Sequence, residues 1–292
     1  MPIISIYKHA GPVAVERAIA ERRVIARSLT DNKVKIHITD ASMLEKVMRE
    51  NDLMAMVRIP EGRARIQSSS NVEVGSFWLA LTPVTRAQLS LYFNKLGFET
   101  GQQGPAGFLP AGDVPYYQAF EFADWAKMRL PSELQWEKAC RGTHGNLYSW
   151  GDSNVVPPGV AFNLAKDPQK ISGPAPVDRS DIRNTASAYG VLDLSGNIWE
   201  WTSSTFDFSE INRWAKADGN TRSLLDQLKS GADHAGVSDD PLMNVVVRGG
   251  SWAERADQLD HLRGDFRRGV GIDLSDLPGK DVYGFRLAAN YI

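Results

Sequence analysis

The stretch Gly190–Trp201, reading GVLDLSGNIWEW, restricts the fold more than any other part of the chain. It is answered near the C-terminus by Val247-Arg-Gly-Gly-Ser-Trp252 and by Gly284-Phe-Arg-Leu287. Glycine and tryptophan are dense here at positions that neither a plain helix nor a plain strand would choose. Gly196-Asn197 is a turn pair that tolerates positive φ. Trp199 and Trp201 share one face of an extended chain, because successive side chains alternate. Gly249-Gly250 lets the backbone pass close to something bulky, and one of those two rings is the expected neighbour. The three pieces together predict the core of a loop-rich domain.

With 292 residues, the chain can hold one large domain, or one domain plus a small annex. Eight tryptophans are enough to fill an irregular core. A net charge of −2 offers no basic field for nucleic acid or an anionic membrane. No apolar run approaches the roughly 18 residues that would span a bilayer, so membrane insertion is not expected. The N-terminus breaks at His9-Ala-Gly-Pro12 and turns charged, which makes a poor signal peptide. One cysteine, Cys140, forbids an intrachain disulfide and any site of several thiolates. Synthesis in a reducing cytoplasm is the expectation, with any display on a virion or cell surface left to a carrier.

Residues 1–51 read as a small α/β annex. Ile3–Tyr7 is strand-like, Pro12–Arg27 has helical periodicity, Val34–Thr39 alternates as a half-buried strand, and Asp40 caps a helix. Such a unit buries little alone, so it packs on the main domain or pairs with a second copy. From Leu53 the texture changes to short strands, Met54–Ile66 and Val72–Leu81. Thr85-x-x-Gln88 and Ser132-x-x-Gln135 are capping boxes that open helices, and Tyr116–Trp125 carries another. Trp136, Ala139 and Cys140 fall on one face of the second boxed helix, which makes the cysteine buried filler. Residues 203–244 are a polar insertion with a helical patch near Leu224–Leu228, and the last strands are Asn244–Arg248 and Tyr283–Ala288. Ser195 beside Gly196 lacks the frame and the base of a nucleophile elbow.

Six motifs then stand in one order: Ala80–Gln88, Arg129-Leu-Pro-Ser-Glu-Leu-Gln-Trp-Glu137, Tyr148-Ser-Trp-Gly-Asp152, Gly190–Trp201, Arg248-Gly-Gly-Ser-Trp252 and Gly284-Phe-Arg-Leu287. Together they resemble the formylglycine-generating-enzyme (sulfatase-modifying factor) domain. The resemblance runs from about Leu53 to Ala289. It implies an α+β, C-type lectin-like fold over residues 52–292, loop-rich with short antiparallel strands. Activity has to be argued from the site.

The enzymes of that family work through two cysteines, which bind copper, between the Arg-Gly-Gly-Ser-Trp and Gly-Phe-Arg motifs. Here that segment, Ala253–Tyr283, contains no cysteine, and Gly264 stands near where one would align. Without a thiolate pair there is no soft Cu(I) site. Relatives that build thiohistidines use iron and a histidine-rich helical domain, whereas His9, His37, His144, His234 and His261 are scattered. Within the family the chain resembles the variable proteins of diversity-generating retroelements, which use this stretch as a diversified, exposed binding surface. Mutagenesis there targets adenines of AAY codons, and the resulting NNY codons cannot encode Glu, Gln, Lys, Met or Trp. On that logic Trp252, Glu254, Gln258 and Lys280 are scaffold. Arg255, Asp257, His261, Gly264, Asp265, Phe266, Arg268, Val270 and Ile272 are permitted as varied, ligand-facing positions.

The resemblance also implies a structural calcium ion, since Asp193, Gly196, Ile198 and Glu200 match positions that hold one through two carboxylates and two carbonyls. The alternative is that the carboxylates of Asp193 and Glu200 only bond turn amides. A second family calcium site begins at Asn163-Leu164, with Gln169 in place of its aspartate. No other cofactor is called for. The sequence reading is therefore a non-catalytic receptor-type protein, with a protein or glycan ligand on another cell or particle. An enzyme of the same superfamily with other chemistry, and a scaffolding module oligomerised through residues 1–50, are the alternatives.

Overall fold

The computed structural model describes residues 11–67, 69–97, 105–162, 173–206, 244–272 and 282–290. In chain order the elements are α1 (Gly11–Ala20), β1 (Val24–Ser28), β2 (Val34–His37), α2 (Ala41–Met48), β3 (Leu53–Ile59), β4 (Gly62–Ile66), β5 (Ser69–Val74) and β6 (Phe77–Ala80). They continue with α3 (Arg86–Lys95), α4 (Tyr116–Trp125), α5 (Glu133–Arg141), β7 (Trp199–Thr205), β8 (Asn244–Arg248), β9 (Arg268–Gly271), β10 (Tyr283–Phe285) and β11 (Ala288–Ala289). One antiparallel sheet runs β11-β6-β3-β1-β2, a second runs β10-β7-β8-β9, and β4-β5 is a separate hairpin. In the second sheet β10 lies parallel to β7 and the other pairs are antiparallel. The architecture is α+β and C-type lectin-like.

Three caps act where local chemistry places them. Asp40 accepts from the Met43 amide at 2.9 Å. Thr85 and Gln88 close a reciprocal box at 3.2 and 3.0 Å, and Ser132 and Gln135 close another at 3.3 and 3.1 Å. Among the described residues no helix is long and apolar enough to cross a membrane.

The N-terminal segment departs from the sequence reading. The helix ends at Ala20, not near Arg27, because Arg22 turns the chain at φ 56 and Val24–Ser28 pairs in register with five residues of β3. The segment thus packs on the main domain through β1. β1 lies between β3 and β2 and is buried on both faces. Val24 and Ala26 face one core with Val15, Leu44, Trp136 and Leu194, while Ile25 and Leu29 face another with Met56, Phe122, Trp199 and Phe285. The expectations for 3–7, for 224–228, and for the second calcium site at 163–172 fall outside the described residues, as does the stretch 273–281 with Lys280.

Candidate ligand-binding face

Strand register assembles the face. Tyr283 of β10 pairs with Trp199 of β7, while Arg268 of β9 pairs with Val247 of β8, which in turn pairs with Trp201. Trp199, Arg268 and Tyr283 thus converge at one end of the second sheet. After β8 the chain passes Gly249, at φ 101, where a Cβ would lie 3.1 Å from both the Leu194 carbonyl and the Trp136 indole. The ring beside the glycine pair is therefore Trp136, not Trp199 or Trp201. Both of those are fully buried. From Ser251 the segment runs through 3-10 turns at Ala256–Leu262 and back into β9.

At its centre Glu254 organises a polar and aromatic cluster. Its carboxylate accepts from Trp199 Nε1 at 2.8 Å and from Ser251 Oγ at 3.2 Å, and it lies 2.6 Å from His261 Nδ1. Arg268 lies 3.8 Å from the same carboxylate and stacks its guanidinium over the Trp199 ring at 4.3 Å. His261 in turn packs on Phe266, ring centroids 4.6 Å apart. Burial alone would raise the Glu254 carboxyl, but the bonds from His261 and Trp199 and the Arg268 charge outweigh it and hold it below the ordinary range. Burial likewise opposes Asp265, and Arg263 and Arg141 bring it down.

The nine candidate ligand positions divide by exposure. Arg255 and Asp257 pair with each other on the rim, with side chains 66% and 63% exposed. His261, Asp265, Phe266 and Arg268 are half-buried around the cluster. Gly264 and Val270 do not belong to the face. A Cβ at Gly264 would meet Arg141 Cγ at 2.5 Å and Cys140 Sγ at 2.9 Å, and Val270 is buried; Ile272 is half-buried against the same core as Phe266. Of the positions the codon argument leaves to the scaffold, Glu254 is buried, while Trp252 and Gln258 are half-buried.

Sequence reasoning misses what lies under the segment. Glu133 and Glu137, one turn apart on α5, are fully buried and meet Arg248 at 2.5 and 2.7 Å. Arg267 holds Glu133 at 2.5 and 2.8 Å, and Arg141 holds Glu137 at 2.6 Å. The signal is in the sequence: Glu133 stands three residues before Trp136 and Glu137 three before Cys140, on a helix whose buried face those two residues mark. Buried charges have to be paired.

The implied calcium ion does not fit its residues. Asp193 is clasped by Arg179 at 2.9 and 2.5 Å and by Asn197 at 3.0 Å. Glu200 takes Arg286 at 2.6 and 2.7 Å and Trp136 Nε1 at 2.8 Å. Each carboxylate is already neutralised by a guanidinium, which leaves no surplus negative charge for a hard dication. Among the described residues no group of three or more His, Cys, Asp or Glu is placed to hold a metal. Calcium or EDTA is therefore expected to leave the melting temperature unchanged to within about 1 °C, and a calcium-dependent rise of several degrees would contradict this assignment.

Fold and site together define a C-type lectin-like domain of the formylglycine-generating type. The chain belongs to the sulfatase-modifying factor enzyme 1-like domain family, matched over residues 41–291. It is 30% identical over 225 residues to hercynine oxygenase of Mycolicibacterium thermoresistibile, covering 64% of this chain and 46% of that protein. It is 37% identical over 101 residues to the formylglycine-generating enzyme of Mycobacterium tuberculosis, covering 33% of this chain and 34% of that protein. The chain thus spans less than half the length of these relatives. Treponema denticola variable protein 1 shares the fold, with a TM-score of 0.54 and 17% identity over 82% of this chain and 96% of that one.

Proposed function

We propose that this chain is a non-catalytic ligand-binding protein, which presents the segment from Arg255 to Arg268 to a protein or glycan on another cell or particle. The observation that carries the reading is the fate of the chain's sulfur. Its single cysteine, Cys140, lies fully buried beneath Gly264 of this segment, and burial pushes the thiol up to about 12, which keeps it protonated and out of reach of solvent. What the segment does present is a rim of exposed Arg255, Asp257 and Asp260 around Phe266, His261 and Arg268. Arginine and aromatic side chains supply most binding hot spots, and short loops on a rigid frame bind without large area. The variable protein of Treponema denticola sharing this fold supports the reading.

Screening the purified protein against glycan and cell-surface-protein arrays tests it. A saturable binder is expected, weakened about tenfold or more by the pair Arg255→Ala and Phe266→Ala. A catalytic role is the second reading, favoured by relatives named as oxygenase and formylglycine-generating enzyme. It predicts oxygen consumption with copper or iron and thiol peptides. Reproducible turnover in that assay overturns the binding reading.

A further inference from the structure

The packing of α2 on the main domain leaves a cleft of about 220 Å³ between that helix and the turn 178–183. Its floor is apolar. Leu44, Ile182 and Leu192 are buried there, and Met48 is half-buried beside them. Its rim is charged. Arg183 reaches across to Glu45 of α2 at 2.8 Å, and Arg49 faces Asp178 at 4.0 Å. Among the described residues neither guanidinium has a second acceptor, so most of the five donors on each fork stay available. Ser180 adds a hydroxyl to the same lining. The third arginine there, Arg179, is fully engaged by Asp193 and by the carbonyls of Pro176 and Gly159.

We propose that this cleft binds a small monocarboxylate with an apolar body, its ring or chain on the leucine and isoleucine floor and its carboxylate on Arg49 and Arg183. An apolar cavity of about 150 Å³ already accepts benzene, so the volume here suffices for a fused ring or a short acyl chain. An apolar floor with a few convergent polar groups is the usual make-up of a small-molecule site. A guanidinium fork matches a carboxylate bidentately. The acids now on the rim are weak competitors. Glu45 is 63% exposed and Arg49 65%, and ion pairs so placed contribute little. An incoming carboxylate can therefore take either fork while Glu45 turns to water. A cationic ligand meets two arginines, and inorganic phosphate leaves the floor uncovered. None of these residues belongs to the segment from Arg255 to Arg268, so the site is independent of the ligand-binding reading.

Methyl-labelled full-length protein titrated with indole-3-acetate and with hexanoate tests this, the neutral amide of each serving as control. At least one acid is expected to shift the methyl signals of Leu44, Met48, Ile182 and Leu192 saturably, with a Kd of about 10–1000 µM, and its amide to bind about tenfold more weakly. The variant R49Q/R183Q is expected to weaken the acid about tenfold and to leave the amide unchanged. Glu45→Gln is expected to tighten the acid about threefold, because it removes the chain's own competitor for Arg183. All three substituted side chains are exposed or half-buried, so the fold is kept. Absence of shifts at these methyls with both acids at about 5 mM overturns the proposal. So does equal affinity for acid and amide, undiminished binding in R49Q/R183Q, or weaker binding in Glu45→Gln.

Discussion

Arg286→Ala is expected to lower the stability of the fold by about 3–5 kcal/mol, the loss that follows when one partner of a buried ion pair is removed. Arg286 is wholly buried just after β10 and uses every donor it has. Nε and one terminal nitrogen grip Glu200 at 2.6 and 2.7 Å. The other donors reach the carbonyls of Ala80, Leu81, Leu192 and Asp193 at 2.9–3.3 Å. One side chain therefore joins the end of β6, the 190–194 turn, β7 and β10. Alanine leaves Glu200 buried with only Trp136 to bond it, and takes a donor from four carbonyls, of which Leu81 keeps the Leu192 amide. Against a total of about 5–15 kcal/mol for a folded chain, the expected drop in melting temperature is about 10 °C or more. Lysine is a poor replacement, since three donors on a flexible stem cannot reproduce the planar fork. The pair R286M/E200Q is expected to recover part of the loss, because it removes both charges together. A melting temperature for Arg286→Ala within about 2 °C of the parent would show that these contacts are redundant.

That residue shows what is and is not legible in the sequence. The Gly-Phe-Arg motif marks Arg286, and its order among five other motifs predicts the fold. The capping boxes at Thr85 and Ser132 are legible because each is decided within four residues, and the structure has both. Strand β8 is predicted to the residue, since Asn244–Arg248 is a short apolar run closed by glycines. Partner choice at long range is another matter. Arg267 meets a glutamate 134 positions away, and Gln67 reaches a carbonyl 198 positions away, and nothing in a local pattern encodes either. The same limit explains the calcium expectation: Asp193 and Glu200 stand at the matching positions, but the arginines that occupy them come from Arg179 and Arg286. It explains Gly264 as well, whose lack of room is set by α5 and not by its neighbours in sequence.

Trp199→Ala is the second large effect, with an expected loss of about 3–5 kcal/mol, as for other buried tryptophans truncated to alanine. Trp199 belongs to the scaffold and to the face at once. Its ring is fully buried in the core, Arg268 lies over one face of it, and the ring centroids of His261 and Phe266 are each 6.0 Å away. Its N–H is the donor that holds Glu254 in place. Truncation therefore opens a cavity beneath the candidate site and frees the carboxylate that orients His261. Trp199→Phe separates the two roles, because it keeps an aromatic ring and deletes only the N–H. Its expected cost is about 1–3 kcal/mol, the penalty for depriving a buried acceptor of a partner, moderated by the Ser251 hydroxyl that still reaches Glu254. Denaturant melts of the three proteins measure both steps. If Trp199→Phe proves as damaging as Trp199→Ala, the hydrogen bond to Glu254 dominates. If Trp199→Ala costs less than about 1 kcal/mol, the ring is no keystone and the face must be held by the α5 charges alone.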